Sequence, residues 1–307
     1  MILALAGGVG GARLARGLAA ILPPGKLTIA VNTGDDFEHL GLLVCPDIDT
    51  VCYTLAGINN AAQGWGLEGE SWAFMDALGK LGGESWFNLG DRDLATHVLR
   101  TGMIGRQSLS EITALLAGRM GIAHRIVPMS DDRVRTMVDT DEGELPFQQY
   151  FVRRRAEPRF RAIRFDGIET ARPSAGLLDA VADPALEAVI LCPSNPVLSI
   201  TPILALSGVR AALAARGVPI VAVSPFIGGQ AVKGPAAKIM GEIGLATTPA
   251  GLAAYYDGLL DGIVIDRVDT GADAGTAALH VTATLMRDLD DQRRLADETI
   301  AFARRLR

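Results

Sequence analysis

Aromatic residues are scarce in this chain: they make up 5% of its 307 residues. That argues against a surface on which successive nucleic-acid bases stack. Positive charge is also in short supply. Lys plus Arg number 29 against 35 Asp plus Glu, a net charge of −6, and no basic tract suits a nucleic-acid backbone. Cysteine is limited to Cys45, Cys52 and Cys192. An odd count without a CxxC or a Cys/His pairing excludes a disulfide framework and a zinc site. No apolar run approaches the roughly 18 residues of a membrane span. The apolar start Met1–Ala6 lacks a basic stretch before it and is broken at once by glycines. It therefore reads as a first strand and not as a leader, and a reducing, cytoplasmic setting is expected. There is no internal repeat and no low-complexity tract.

What remains is ample for a buried core, with 49% hydrophobic residues. The length allows two domains of about 150 residues, or one large α/β domain with insertions. Ile2–Ala6 is a short apolar run, followed by glycines and then by helical spacing at Leu14, Leu18 and Ile21. Pro23-Pro24-Gly25 stops the helix, and Leu27–Val31 is the next strand. The same pattern returns late, with strands at Ala188–Leu191, Pro219–Val223 and Gly262–Asp266. Continuous apolar strands alternating with helices predict a Rossmann-like α/β fold, a parallel sheet with helices on both faces. The core is expected over 1–123 and 186–307, with 55–121 mostly helical. Alternation at 134–138, 150–153 and 160–165 predicts a smaller inserted α/β subdomain over 124–185, with a hairpin turn at Asp141–Glu144. Its arginines, Arg153–Arg155, Arg159, Arg161 and Arg164, read as a solvated face. Exposed hairpins there could pair across a homodimer.

Several short motifs carry chemistry. Gly7-Gly8-Val9-Gly10-Gly11 joins strand to helix, where free N–H groups and the helix dipole favour an anion. It fits neither GxGxxG nor a Walker A loop, and its plainer role is a tight turn. Asn32-Thr33-Gly34-Asp35-Asp36 ends the second strand, where ligands of open parallel sheets sit. Pro46-Asp47-Ile48-Asp49-Thr50 offers a D-x-D pair suited to Mg2+ and substrate phosphates. Its plainer role is Asp49 as an N-cap. If the segment is already helical, the two carboxylates point about 200° apart and only Asp49 reaches the site. Gly90-Asp91-Arg92-Asp93 precedes a helix bearing Thr96 and His97. Arg92 could clamp a phosphate, with a capping carboxylate and a surface ion pair as the simpler account. His97 reads as a structural histidine before a catalytic one. Ser194-Asn195-Pro196 and Ser224-Pro225 end late strands on the same sheet edge. No His/Asp pairing marks a nucleophilic serine.

Taken together these motifs resemble one family, the 2-phospho-L-lactate transferases of coenzyme F-420 biosynthesis, whose bacterial members are phosphoenolpyruvate transferases. The ordered series runs from the GGVGG loop through Val31-Asn32-Thr33, Pro46–Val51, Gly90–His97, Pro128–Asp132, Pro193–Pro196, Ser224-Pro225 and Gly234–Lys238 to Tyr255-Tyr256. The resemblance implies a guanosine-diphosphate-activated three-carbon phosphoacid as donor and the ribityl hydroxyl of the deazaflavin Fo as acceptor, with GMP leaving and Mg2+ as cofactor. It implies small-molecule partners, with neither nucleic acid nor membrane. By the same resemblance Asp49, Thr50 and Arg92 face Fo, Asp49 and Arg92 serve catalysis, and Asp49 meets the metal. Gly7, Gly8, Val9, Gly10, Gly11, Asn32, Thr33, Ser194, Asn195, Pro196 and Ser224 form the nucleotide side. A catalytically silent protein that binds a guanosine or sugar nucleotide is the alternative from another class, and a generic nucleotidyltransferase is a second enzyme reading.

Overall fold

The computed structural model describes residues 1–307. Strand β1 (Ile2–Ala6) leads through the glycine loop into helix α1 (Gly8–Ile21) and then β2 (Leu27–Val31). A short antiparallel hairpin, β3 (Phe37–His39) and β4 (Leu42–Val44), precedes helices α2 (Pro46–Ala56), α3 (Ala73–Lys80), α4 (Asp93–Met103) and α5 (Leu109–Arg119). Strand β5 (Arg125–Pro128) is followed by β6 (Arg135–Thr140), β7 (Gly143–Pro146), a π-helical turn at Gln149–Arg153, and β8 (Phe160–Asp166). Helix α6 (Ala175–Ala182), strand β9 (Ala188–Leu191), a second π-helical turn at Pro196–Ile200, and helices α7 (Thr201–Ala205) and α8 (Val209–Ala215) come next. The chain ends with β10 (Ile220–Val223), a hairpin of β11 (Phe226–Ile227) and β12 (Gln230–Ala231), α9 (Ala236–Glu242), α10 (Pro249–Tyr255), β13 (Gly262–Asp266), β14 (Ala278–Thr282) and α11 (Leu289–Arg305). No single helix is long and apolar enough to cross a membrane.

The main sheet has seven strands in the order β14-β13-β10-β9-β1-β2-β5, with every neighbouring pair parallel. The α/β architecture read from the sequence is therefore the one observed. The residues of β1 explain why. Leu3 and Leu5 pack into one core, Ile2, Ala4 and Ala6 into the other, and all five are buried. A strand covered on both faces has no polar side, which is why it reads as a continuous apolar run. Chain direction across the sheet reverses at β1: β2 and β5 lie on one side of it, and β9, β10, β13 and β14 on the other. The crevice at that reversal, outside the carboxyl ends of β1 and β9, is where such sheets hold ligands.

Two details depart from the sequence reading. Residues 125–128 belong to the main sheet, paired with β2 and not with an insertion. Ile126 and Val127 are both buried, one in each core, which is the mark of a doubly covered strand. The separate small sheet is β7-β6-β8, antiparallel throughout, with its turn at Asp141–Glu142 as expected. Tyr150–Arg153 is a π-helical turn instead of a strand. Tyr150 there turns inward to meet Phe160, ring centroids 6.3 Å apart, and tertiary packing overrides the β-propensity of so short a run. Arg153–Arg155, Arg159, Arg161 and Arg164 are exposed, as read from the sequence.

Candidate active site

A cavity of about 520 Å3 opens at the reversal point. Its floor is the glycine loop, and its walls come from the N-terminus of α2, from α4, from the loops after β9 and β10, and from the β7–β8 connection. Gly7, Gly8, Val9, Gly10, Asp49, Thr50, Ser194, Asn195 and Ser224 all line it. Gly11, Asn32, Thr33, Pro196 and Arg92 do not.

The glycine loop is held by its neighbours. The Gly7 N–H donates to Ser194 Oγ at 3.0 Å, and the Gly8 N–H donates to Asp47 Oδ1 at 2.7 Å. A Cβ on Gly10 would lie 2.2 Å from the Pro193 carbonyl oxygen, so only glycine allows the loops after β1 and β9 to close on each other. Val9 and Gly10 are left as the next N–H donors at the start of α1. Asn32 is wholly buried and acts from behind the wall. Its amide donates to Asp47 Oδ2 at 3.0 Å, and its oxygen accepts from Gly34 N–H at 2.8 Å. Asn195 spends its oxygen capping the turn that follows, accepting from Val197 and Leu198 N–H groups. Ser224 Oγ accepts from the Phe226 N–H, a local turn.

The D-x-D segment differs from expectation in a consequential way. Helix α2 starts at Pro46, whose fixed φ suits the first helical position, so Asp49 lies inside the first turn and is no N-cap. Both carboxylates line the cavity. Asp47 touches the glycine loop and Asn32 and has no ion-pair partner. Burial pushes its carboxyl up to about 6, against the hydrogen bonds from Asn32 and Gly8 that hold it down. Asp35, also in the lining, is pushed well above the usual carboxylate range by burial and by the charge of Asp47. Its Oδ1 has no hydrogen-bond partner.

Asp49 is instead clamped by Arg100, which is 1% exposed and meets it through both terminal nitrogens. His97 lies between Asp49 and Asp93, with Nδ1 3.7 Å from Asp49 Oδ2 and Nε2 3.4 Å from Asp93 Oδ2. Tyr53 donates to Asp93 Oδ1 at 2.6 Å. Burial pushes Asp93 up, but the nearby His97 ring and the hydrogen bond from Tyr53 outweigh it, and its carboxyl sits below the ordinary value. Ligand atoms of Asp49, Asp93 and His97 all lie within 4.8 Å of one another and could hold a metal ion. Arg100 was absent from the expected site. Its signal was the spacing Asp93, Thr96, His97, Arg100 on α4, one helical face made of polar residues, all of them buried here.

Arg92 is placed otherwise than expected. It is exposed, and its guanidinium donates to the Glu68 carbonyl at 2.5 Å, tying a loop to the start of α4. Thr33 faces a second, smaller cavity of about 310 Å3 beside Asp36 and Arg135. The scarce aromatic residues, in contrast, gather here. Tyr53, Trp65, Trp86, Phe87, Phe147 and Phe151 all line the large cavity. The Phe147 and Phe151 rings are stacked at 5.4 Å with 7° between planes. A low aromatic content excluded an extended stacking surface but said nothing about where the few rings lie.

Fold and site define an open, doubly wound α/β enzyme with its cavity at the strand ends. Within that class, a family model described as 2-phospho-L-lactate transferase CofD matches residues 2–299, and the chain belongs to that family of transferases. It is 42% identical over 317 aligned positions to a phosphoenolpyruvate transferase of Streptomyces griseus subsp. griseus, covering 100% of this chain and 99% of that one. It is 39% identical over 308 positions to a 2-phospho-L-lactate transferase of Methanopyrus kandleri, covering 98% and 97%. A solved structure of a UPF0052 family member from Bacillus halodurans matches with a TM-score of 0.62 over 97% of this chain and 98% of that one. At 13% identity that likeness concerns the fold alone.

Asp36 tests the electrostatics behind the cavity. Burial pushes its carboxyl from 3.8 up to about 7, although a hydrogen bond with Cys45 and the charges of Arg135 and Arg100 pull it down. A raised folded value means that the stability present below about pH 4 is lost as pH rises through 7. Asp36→Asn does not titrate, so its melting temperature should climb relative to the wild type between pH 4 and 8. The gain is bounded at about 4 kcal/mol. Parallel melting curves for the two proteins across this range would show that Asp36 is not desolvated.

Proposed function

We propose that this protein transfers a phospholactyl or phosphoenolpyruvyl group from a guanosine-diphosphate-activated donor to the ribityl hydroxyl of the deazaflavin Fo, releasing GMP, in coenzyme F-420 biosynthesis. The observation that carries this reading is the composition of the large cavity. It joins a helix-initiating glycine loop, four carboxylates and six aromatic side chains in one space. A transfer at a diphosphate needs positioning and charge neutralisation more than covalent catalysis. Two planar heterocycles, guanine and the deazaflavin, each need an apolar flat surface. The names of the relatives supply the reaction class.

Roles follow from the contacts. The N–H groups of Val9 and Gly10 and the α1 dipole face the donor phosphates. Asp49, held in one orientation by Arg100, accepts a hydrogen bond from the acceptor hydroxyl beside Thr50. Ser194 and Asn195 shape the loop that faces the nucleotide. Arg92 reaches the acceptor only by releasing the Glu68 carbonyl.

Mg2+ prefers hard oxygen ligands. Asp47 and Asp35 fit this, since both are carboxylates in the lining without a cationic partner, and Asp35 Oδ1 is unsatisfied. Asp49 fits less well because Arg100 already balances its charge, and His97 is a softer ligand than Mg2+ favours. The metal ligand role expected of Asp49 therefore passes to Asp47, with Asp35 beside it. When bound there, Mg2+ neutralises phosphate oxygens of the donor.

The protein incubated with Fo, the activated donor and Mg2+ should release GMP only when Fo is present. Tight guanosine-nucleotide binding without turnover would make it a silent nucleotide binder instead. Two variants separate the carboxylates. Asp49→Asn should slow turnover about 100-fold, or roughly 2.7 kcal/mol in the barrier, with little change in Mg2+ dependence. Asp47→Asn should raise the Mg2+ concentration for half-maximal rate at least about tenfold. The reverse pattern would return the metal to Asp49.

A further inference from the structure

The cavity is rich in negative charge, with Asp35, Asp47, Asp49 and Asp93 in its lining. Only two cationic side chains line it, Arg13 and Lys233. Arg13 is partly committed, since its Nη1 donates to the Met286 carbonyl at 3.1 Å. Lys233 makes no ion pair within 4.0 Å and no side-chain hydrogen bond, while every other cation against the site, Arg92 and Arg100 included, is engaged. Lys233 lies in the Val232–Pro235 segment between β12 and α9, which lines the same cavity as the α2 carboxylates.

Its ammonium sits close to the glycine loop. A Cβ built on Gly64 would lie 2.8 Å from Lys233 Nζ and 3.2 Å from Val9 Cγ2. Three separate segments therefore converge at one point: the glycine loop, the loop around Gly64, and the segment carrying Lys233. An unpaired ammonium next to a helix N-terminus concentrates positive potential where N–H donors already point. A point charge on a long stem suits a phosphate that changes charge and position during a reaction.

We propose that Lys233 is a further catalytic residue, which contacts the donor's diphosphate and stabilises the charge that develops on the leaving phosphate. This assignment rests on the proposed donor being a nucleoside diphosphate derivative. In the step, the acceptor hydroxyl oxygen bonds to the phosphorus that carries the three-carbon acid. The bond from that phosphorus to the bridging oxygen breaks. Its electron pair stays on the bridging oxygen, which departs as a phosphate oxygen of GMP. The hydroxyl proton passes to a cavity carboxylate. Lys233 keeps its own protons throughout and donates hydrogen bonds to the oxygens on the leaving side, an interaction that strengthens as charge accumulates there.

Calorimetric titration of the wild type, Lys233→Ala and Lys233→Arg with GDP, inorganic pyrophosphate and guanosine tests the assignment, alongside Fo-dependent GMP release. Lys233→Ala should weaken GDP and pyrophosphate at least about tenfold and leave guanosine unchanged. It should also lower kcat by more than it raises the donor KM. Lys233→Arg, which keeps the charge, should recover most of the GDP affinity. If the wild type releases no GMP with Fo yet its GDP and pyrophosphate binding depends on Lys233, the phosphate contact stands and the acceptor reading fails. If the wild type releases GMP and Lys233→Ala does so equally well with unchanged GDP affinity, Lys233 is only a surface residue and the transferase reading stands. A wild type that binds neither GDP nor pyrophosphate overturns the Lys233 assignment.

Discussion

The buried pair between Asp49 and Arg100 is the constraint on which the site's geometry depends. Arg100 is among the largest fully buried side chains of the molecule, and Asp49 is its counter-charge. Taking both from water costs several kcal/mol per ion, which their attraction offsets only with good geometry and further hydrogen bonds. The structure supplies these: Arg100 also donates to the Leu43 carbonyl at 3.3 Å, and His97 lies against both partners. The pair therefore ties α2 to α4 and to the β3–β4 hairpin at a single point. Losing one member would strand the other charge in the interior, a penalty of about 3–5 kcal/mol. Such a pair is poor evidence for stability, but it fixes the direction of one carboxylate in a cavity whose other walls are loops.

Asp47 connects that rigid side to the glycine loop. One of its oxygens receives the Gly8 N–H and the other the Asn32 amide, so α2, the end of β2 and the start of α1 share one carboxylate. Its place is electrostatically divided. A helix N-terminus favours an anion, while burial and the nearby Asp35 oppose one. The upward displacement to about 6 records that burial wins. A carboxylate at the N–H groups expected to cradle a phosphate also means that the loop is not a bare anion nest. Any phosphate entering here meets negative charge at once.

Much of the fold could be read from the sequence because doubly buried strands and Ala/Leu-rich helices leave strong periodic signals. Strands β1, β2, β9, β10 and β13 were all foreseen. Strand β14 was not, because at the sheet edge it is only half-buried, and Ala278–Thr282 lacks an apolar run. The site was legible in its motifs but not in its partnerships. Gly7–Gly10, Asp49, Thr50, Ser194, Asn195 and Ser224 were identified and do line the cavity. Which carboxylate would be paired could not be read, because Arg100 lies 51 residues from Asp49 and no local pattern links them. The start of α2 four residues earlier, with Cys45 and not Asp49 as its cap, moved Asp49 to the interior, the kind of boundary error to which periodicity is blind. Arg92 was chosen for its motif, and the loop that claims it, at Glu68, has no periodic signal at all. The aromatic lining was hidden by composition, since an average over the chain says nothing of where six such side chains gather.

Charge balance imposes an order on how this cavity works. The lining carries four carboxylates against Arg13 and Lys233, with Arg100 behind the wall cancelling Asp49. A diphosphate brings further negative charge into the same low-dielectric space, where repulsion is weakly screened. Entry is therefore favourable only if cations accompany it or protons remain on the carboxylates. The raised Asp35 and Asp47 fit either solution, because both accept a proton or a divalent cation more readily than an ordinary surface carboxylate. On the proposed reading, the residues that repel a bare phosphate thus favour a phosphate that arrives with its cation. The acceptor's neutral hydroxyl, on that same proposed reading, then approaches Asp49 without adding charge. An acidic site for an anionic substrate is, on this account, a way of requiring the two to bind together.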